Sequence, residues 1–280
     1  MTISISSSGP ADERRELVAR YGDQKPVEVV PGIELCPLVG GFSGARNLFT
    51  AVLTLKPSGS LPLYARPFTE ALVLLEGNAS VEVEDRRYRL SSLDAVTIRE
   101  QVPRRLVNLS ADRPAVLHVS LAASFPEQTW LNGLYTATDQ PQSSTGHIDS
   151  ERICRSDPSA RFDLAPQARF QNLFGADLGA RGICGGYGRF ESGARLPCHR
   201  HDFDESITIV EGTATCVVEG SRYELAGYMT ALVPQGRCHY FINLTGQPMA
   251  MIWVYAGDHP DRIVVDERLC HPDGSVESRK

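Results

Sequence analysis

Short apolar runs closed by glycine recur along the chain, and they set the reading of its fold. ALVLLEG at 71–77 and ITIVEG at 207–212 are such runs. ASVEVEDRRYRL at 79–90 and ATCVVEGSRYEL at 214–225 place polar or glycine residues at Glu84-Asp85 and Glu219-Gly220, between two strand-like halves. PAVLHVSLAA at 114–123 and PMAMIWVYAG at 248–257 read as late buried strands. Short strands separated by turn signals predict an all-β sandwich or barrel. ADERRELVARY at 11–21 is the one convincing helical segment, so a short N-terminal helix is expected. Residues 136–148 are polar and turn-rich and read as a linker.

The pattern is written twice. An offset of 135 positions aligns Pro31–Ser110 with Pro166–Thr245 without a gap, and 20 of the 80 aligned positions are identical. Gly44-Ala45-Arg46 matches Gly179-Ala180-Arg181, Leu61-Pro62 matches Leu196-Pro197, and Phe68 matches Phe203. Glu70 falls on Glu205, Glu76-Gly77 on Glu211-Gly212, and Asn108-Leu109 on Asn243-Leu244. A match of this length is a duplication. One duplicated pair predicts two domains, over 1–135 and 136–280, because a solenoid needs more copies of a shorter unit.

Bulk properties narrow the class further. The chain is 42% hydrophobic and 22% charged, as a soluble globular protein is. A net charge of −6 argues against a nucleic-acid groove or an anionic membrane surface as partner. No apolar run approaches the roughly 18–20 residues that span a bilayer. The first twenty residues lack a basic start followed by an apolar core, so no secretory signal is expected. Seven cysteines without a C-x-x-C pair read as reduced thiols in a cytoplasmic protein, not as a zinc ribbon or a thioredoxin-like site.

The chemistry concentrates in GARLPCHRHDFDESITIVEG, residues 193–212. His199 and His201 are two apart, so on a strand both side chains point to one face. Imidazoles on one face can bind the same ion, and a carboxylate from a neighbouring strand adds charge neutralisation. Gly193, His199, His201, Glu205 and Gly212 form a first motif, followed by Pro234, Gly236, His239 and Asn243. This pair of motifs resembles the cupin superfamily, and the duplication makes the chain resemble a bicupin. Gly227 lies one residue further from Pro234 than the family pattern has it, which affects a turn more than the site. The resemblance covers both repeats, about residues 30–257. It implies two tandem double-stranded β-helix, or jelly-roll, barrels, with a divalent transition metal held inside the second by His199, His201, Glu205 and His239.

At the same positions the first copy carries Tyr64, Arg66, Glu70 and Arg104. Tyrosine and permanently protonated arginine cannot replace neutral imidazole donors, so the N-terminal barrel is expected to be metal-free. Arg66 or Arg104 is expected to pair with Glu70, placing a guanidinium where the ion would sit. An anionic ligand on the arginines is the alternative to an inert structural barrel.

Other residues fill in the second barrel. By strand parity Ile207, Ile209 and Phe241 share the ligand face and form an apolar wall. Tyr187 and Arg189 share one face of the preceding strand; if it looks inward, they could bind a carboxylate or enolate. Trp253 and Tyr255 have the same two options on the last strand. Cys198 and Cys238 read as small buried hydrophobes on the opposite face, too far apart for a mutual disulfide. Asp202 and Asp204 read as solvated turn residues.

Four ligands leave up to two positions open on a six-coordinate ion, which suits substrate chelation or oxygen binding. The resulting expectation is a dioxygenase-type oxidoreductase acting on a small enolisable or phenolic compound. Fe(II) is the favoured metal, with Mn(II), Ni(II), Cu(II) or Zn(II) as alternatives. A non-redox isomerase, decarboxylase or lyase and a non-catalytic small-molecule-binding cupin remain the other readings. Relatives of this kind also lead to the expectation of a homodimer.

Overall fold

The structure, a computed structural model, describes residues 14–133 and 136–271, and nearly all of its regular structure is β-strand. In the N-terminal half a seven-stranded sheet runs Glu151–Cys154, Ala95–Ile98, Glu70–Glu76, Ala115–Leu121, Phe49–Leu55, Ile33–Val39, Val27–Val30. The sheet facing it runs Thr129–Trp130, Ser60–Ala65, Arg104–Asn108, Ala79–Val83, Arg86–Leu90, Thr138–Asp139. The C-terminal half repeats the plan. Its seven-stranded sheet runs Leu17–Ala19, Thr230–Val233, Glu205–Glu211, Met249–Tyr255, Cys184–Phe190, Ala168–Phe174, Phe162–Ala165. The facing sheet runs Ser221–Ala226, Thr213–Val218, His239–Ile242, His199–Arg200, Ile263–Val264.

The apolar runs are continuous because their strands are buried on both faces. Leu72 and Leu74 point into the N-terminal barrel, whereas Ala71, Val73 and Leu75 pack in a third core shared by both halves. Likewise Met249, Met251, Trp253 and Tyr255 fill the C-terminal barrel while Ala250, Ile252 and Val254 join that shared core. The glycine ending each run is required by its turn. Gly77 and Gly212 have φ of +83° and +67°, and a Cβ there would stand 2.4 and 2.5 Å from the carbonyl oxygens of Pro114 and Pro248.

The halves exchange their leading strands. Leu17–Ala19 pairs with Thr230–Val233 of the C-terminal barrel, and Glu151–Cys154 pairs with Ala95–Ile98 of the N-terminal one. Under the repeat offset Leu17–Ala19 falls on Arg152–Cys154, and the registers coincide: Val18 faces Ala231 as Ile153 faces Val96. Side chains repeat the exchange, because Asp204 accepts from the Arg46 amide (2.8 Å) and Thr69 from the Arg181 amide (3.2 Å). The helix expected over 11–21 is corrected here. Among the described residues of that segment, Leu17–Ala19 is a strand, and residues 11–13 lie outside the described ones. Pairing to a barrel edge overrides a helical propensity that three residues can scarcely express. Part of the polar segment 136–148 is also strand, as Thr138–Asp139 lies parallel to Arg86–Leu90. No helix among the described residues is long and apolar enough to cross a membrane.

A polar seam crosses the shared core. Thr50 and Ser206 hydroxyls meet at 3.0 Å, and His118 links Ser120 (3.2 Å) to Thr208 (3.1 Å), which in turn meets Thr230 at 2.8 Å. Burial pushes the His118 pKa down from its ordinary value of 6.5 to about 3. The unfolded chain therefore binds a proton between these values that the folded chain does not, and stability falls as pH drops through that window. Wild type should lose about 2 kcal/mol more than His118→Gln between pH 7 and pH 5, measured by denaturant unfolding. Parallel pH profiles for the two proteins would contradict a neutral His118.

Candidate metal centre

His199 and His239 stand directly opposite each other on antiparallel strands of the five-stranded sheet. His201 follows in the turn, and Glu205 opens a strand of the sheet facing it. Three imidazoles thus approach from one sheet and a carboxylate from the other. One ligand atom from each of the four lies within 4.8 Å of all the rest, and all four residues are buried.

The orientation of each ring is set by the backbone. Nδ1 of His199, His201 and His239 lies 2.8, 2.7 and 3.0 Å from the carbonyl oxygens of Pro197, Asp261 and Arg237. A carbonyl only accepts, so each Nδ1 carries the proton and each Nε2 presents a lone pair to the centre. There Nε2 of His239 and His201 lie 2.6 and 3.3 Å from Glu205 Oε2. Nε2 of His201 and His239 and Oε2 of Glu205 are buried without a hydrogen-bond partner. Buried acceptors converging without a donor are costly unless a cation joins them, and this donor set fits a divalent ion.

Electrostatics point the same way. Burial, reinforced by His239, Arg262 and His201, holds His199 well below its ordinary pKa, so it is a neutral donor at pH 7. Burial alone would raise the Glu205 carboxyl, but His201 and His239 beside it hold it well below the usual carboxylate range. Neutral imidazoles and an ionised carboxylate are the forms that ligate a metal.

The structure sorts the remaining sequence candidates. Ile207, Ile209 and Phe241 pack in the core of this barrel, as does Trp253. Tyr187 and Arg189 are corrected: they face away. Tyr187 is buried in the shared core beneath the Arg161 guanidinium, and Arg189 pairs with Glu211 (2.8 Å) and Glu191 (3.3 Å) near the surface. The inward positions of their strand are Gly186 and Gly188, where a Cβ would come within 2.8 Å of the Trp253 and Phe170 rings. Asp204 is also corrected. It is buried, gripped by both terminal nitrogens of Arg14 (2.6 and 2.7 Å) and by the Gln235 amide (2.9 Å), while Asp202 is exposed as expected.

Several residues at the site have no motif signal. Tyr255 packs on His201, with ring centroids 4.3 Å apart, and Phe203 stacks on the same imidazole. The identity of Phe68 and Phe203 between the repeats was the one sign of Phe203. Arg262 donates to the Tyr255 hydroxyl (3.2 Å), and its Nε is buried without a partner. It comes from an irregular segment with no periodic pattern.

The expectation of reduced thiols is corrected at one pair. Cys198, beside His199, forms a disulfide with Cys270, which neither parity nor spacing indicated; the other five cysteines are free. The bond straps the C-terminal segment over the ligand strand. Ile263–Val264 pairs there, Val265 donates to the Cys198 carbonyl (3.0 Å), and the same segment supplies the Asp261 carbonyl that orients His201. Closing a 72-residue separation, the disulfide should contribute about 2–4 kcal/mol. Cys198→Ala/Cys270→Ala should lose that much in denaturant unfolding, and equal stability would show that the strap contributes nothing.

Residues 186–255 match the model of the cupin domain family. No curated protein matches the chain. Among solved structures, a deletion variant of Bacillus subtilis oxalate decarboxylase OxdC is 14% identical with a TM-score of 0.72, over 92% of this chain and 80% of that one. Salicylate 1,2-dioxygenase from Pseudaminobacter salicylatoxidans is 13% identical with a TM-score of 0.70, over 91% and 88%. AerE from Microcystis aeruginosa is 15% identical with a TM-score of 0.62, over 83% and 96%. At these identities the likeness is one of fold.

Proposed function

The chain has the bicupin fold, with a buried three-histidine, one-glutamate cluster in its C-terminal barrel, and we propose that it is a metal-dependent oxygenase. Its substrate is a small compound with one anionic oxygen function, an enolate or phenolate, on an apolar body. The observation that carries this reading is the convergence of His201 Nε2, His239 Nε2 and Glu205 Oε2, buried and without a hydrogen-bond partner. In this assignment His199, His201, Glu205 and His239 hold the ion, Fe(II) by preference. The N-terminal copy, through about residue 135, holds none. When bound, the ion would supply Lewis acidity and, as iron, one-electron chemistry toward dioxygen.

The chain's own groups account for the substrate class. Three backbone carbonyls fix the imidazole tautomers, so the lone pairs are in place before substrate arrives. Ile207, Ile209, Phe241 and Trp253 make the interior apolar, which excludes water and disfavours a dianion. Arg262 supplies one positive charge beside Tyr255 and attracts a single anionic group. Burial, and then the Glu205 charge, raises the Tyr255 pKa, so its phenol keeps the proton and can donate a hydrogen bond to the bound anion.

Two experiments test this. Fe(II)-reconstituted protein should consume oxygen with a member of a panel of 1,3-diketones, catechols and flavonols, and metal-stripped protein should not. Product formed without oxygen uptake would replace the reading with Lewis-acid isomerisation or decarboxylation, and binding without turnover would make the protein a binding module. With an active substrate, Arg262→Leu should raise KM about 10–100-fold with a smaller change in kcat, the loss expected for a charged contact made in the ground state. An unchanged KM would remove Arg262 from the substrate site.

A further inference from the structure

The N-terminal barrel replaces the histidines with a charged group of its own. Arg66 Nε donates to Glu70 Oε1 at 2.7 Å, and Arg104 Nε donates to Oε2 at 2.9 Å. The Tyr64 hydroxyl also donates to Oε2, at 2.9 Å. The pairing expected of one arginine is thus made by both. Burial would raise the Glu70 carboxyl, but the two guanidinium groups hold it below the usual range.

Two guanidinium groups against one carboxylate leave one positive charge uncompensated. Arg66, Glu70 and Arg104 are 5%, 1% and 0% exposed, so water screens that charge poorly. The donors are also in surplus. Nη1 of Arg66 bonds the Pro126 and Glu127 carbonyls, and Nη1 of Arg104 bonds that of Val102. Nη2 of Arg104 is buried with no partner.

Beside them lies a cavity of about 440 Å³, of the size that holds small ligands. Arg66, Glu70 and Tyr64 line it together with Val29, Leu35, Leu53, Leu61 and Val119. The further carboxylate at its wall is Glu28, which is exposed and accepts from the Gly32 amide. Arg66, which shares Glu70 and the excess positive charge with Arg104, thus brings that charge to the wall of an apolar chamber.

We propose that the N-terminal barrel binds a small monocarboxylate with an apolar body, its carboxylate on Arg66 and the Arg104 charge, its body against the aliphatic wall. Phosphate and dicarboxylates would strand a second charge against aliphatic walls, so they are excluded. The inference is independent of the metal reading of the other barrel.

Calorimetric titration of metal-stripped protein tests it, with benzoate and hexanoate as probes and benzyl alcohol, hexanol and phosphate as controls. One equivalent of a carboxylate should bind at least about tenfold more tightly than its alcohol, as charge-assisted hydrogen bonds require. Arg66→Gln, which keeps a donor to Glu70 but not the charge, should weaken binding at least about tenfold. Val29→Trp leaves every charge in place and narrows the half-buried wall; it should weaken binding equally, and Arg262→Leu should change nothing. Equal affinity for the alcohol, preference for phosphate, no binding at millimolar probe, or affinity retained in both Arg66→Gln and Val29→Trp would each overturn the proposal. So would loss confined to Arg262→Leu, which would place the probe in the C-terminal barrel.

Discussion

Glu70 and Glu205 hold the same place in their barrels, at the head of a strand facing the interior, and each is at least 95% buried. A carboxylate taken out of water costs several kcal/mol unless a cation stands beside it. That requirement organises both interiors. In the N-terminal barrel Arg66 and Arg104 bring the cation on side chains, with Tyr64 completing the carboxylate's hydrogen bonds. In the C-terminal barrel the equivalent positions are three imidazoles, whose Nδ1 atoms are engaged by backbone carbonyls and whose Nε2 atoms face the centre. There the cation has to come from outside. One duplicated scaffold thereby yields a self-neutralised barrel with a spare positive charge and a barrel built to hold an ion.

The rest of the architecture keeps these two interiors in fixed relation. Each barrel receives its outer strand from the other half, in the same register, so neither seven-stranded sheet is complete alone. The shared core between the sheets is apolar around a short hydroxyl–imidazole seam, and the buried Asp204 ties the start of the chain beside the ligand turn. The C-terminal segment then closes over the ligand strand through strand pairing, the Asp261 carbonyl and the disulfide to Cys270. Orientation of His201 therefore depends on residues sixty positions away in the chain.

The duplication, the β architecture and the four clustered residues were legible in the sequence because each rests on local spacing. Two histidines at i and i+2 share a face wherever the strand lies. A repeat with one offset also exposes Arg66 and Arg104 as the replacements. What could not be read depends on which sheet a strand joins. Leu17–Ala19 reads as helix because its partner, Thr230–Val233, belongs to the other repeat. The faces of Tyr187 and Arg189 were set by Trp253 and Phe170, whose rings require glycine on the inward side. Arg262 and Cys270 act from a segment without periodicity, where position follows only from the finished fold.

In the proposed reading two guanidinium groups stand against Glu70 in the first barrel and one metal ion against Glu205 in the second. That reading is tested most directly by metal analysis of protein purified without chelators or affinity metal, comparing wild type with His199→Ala/His239→Ala. Wild type should carry about one transition-metal ion per chain and the double variant none. Two ions per chain, or one that survives the double substitution, would contradict it.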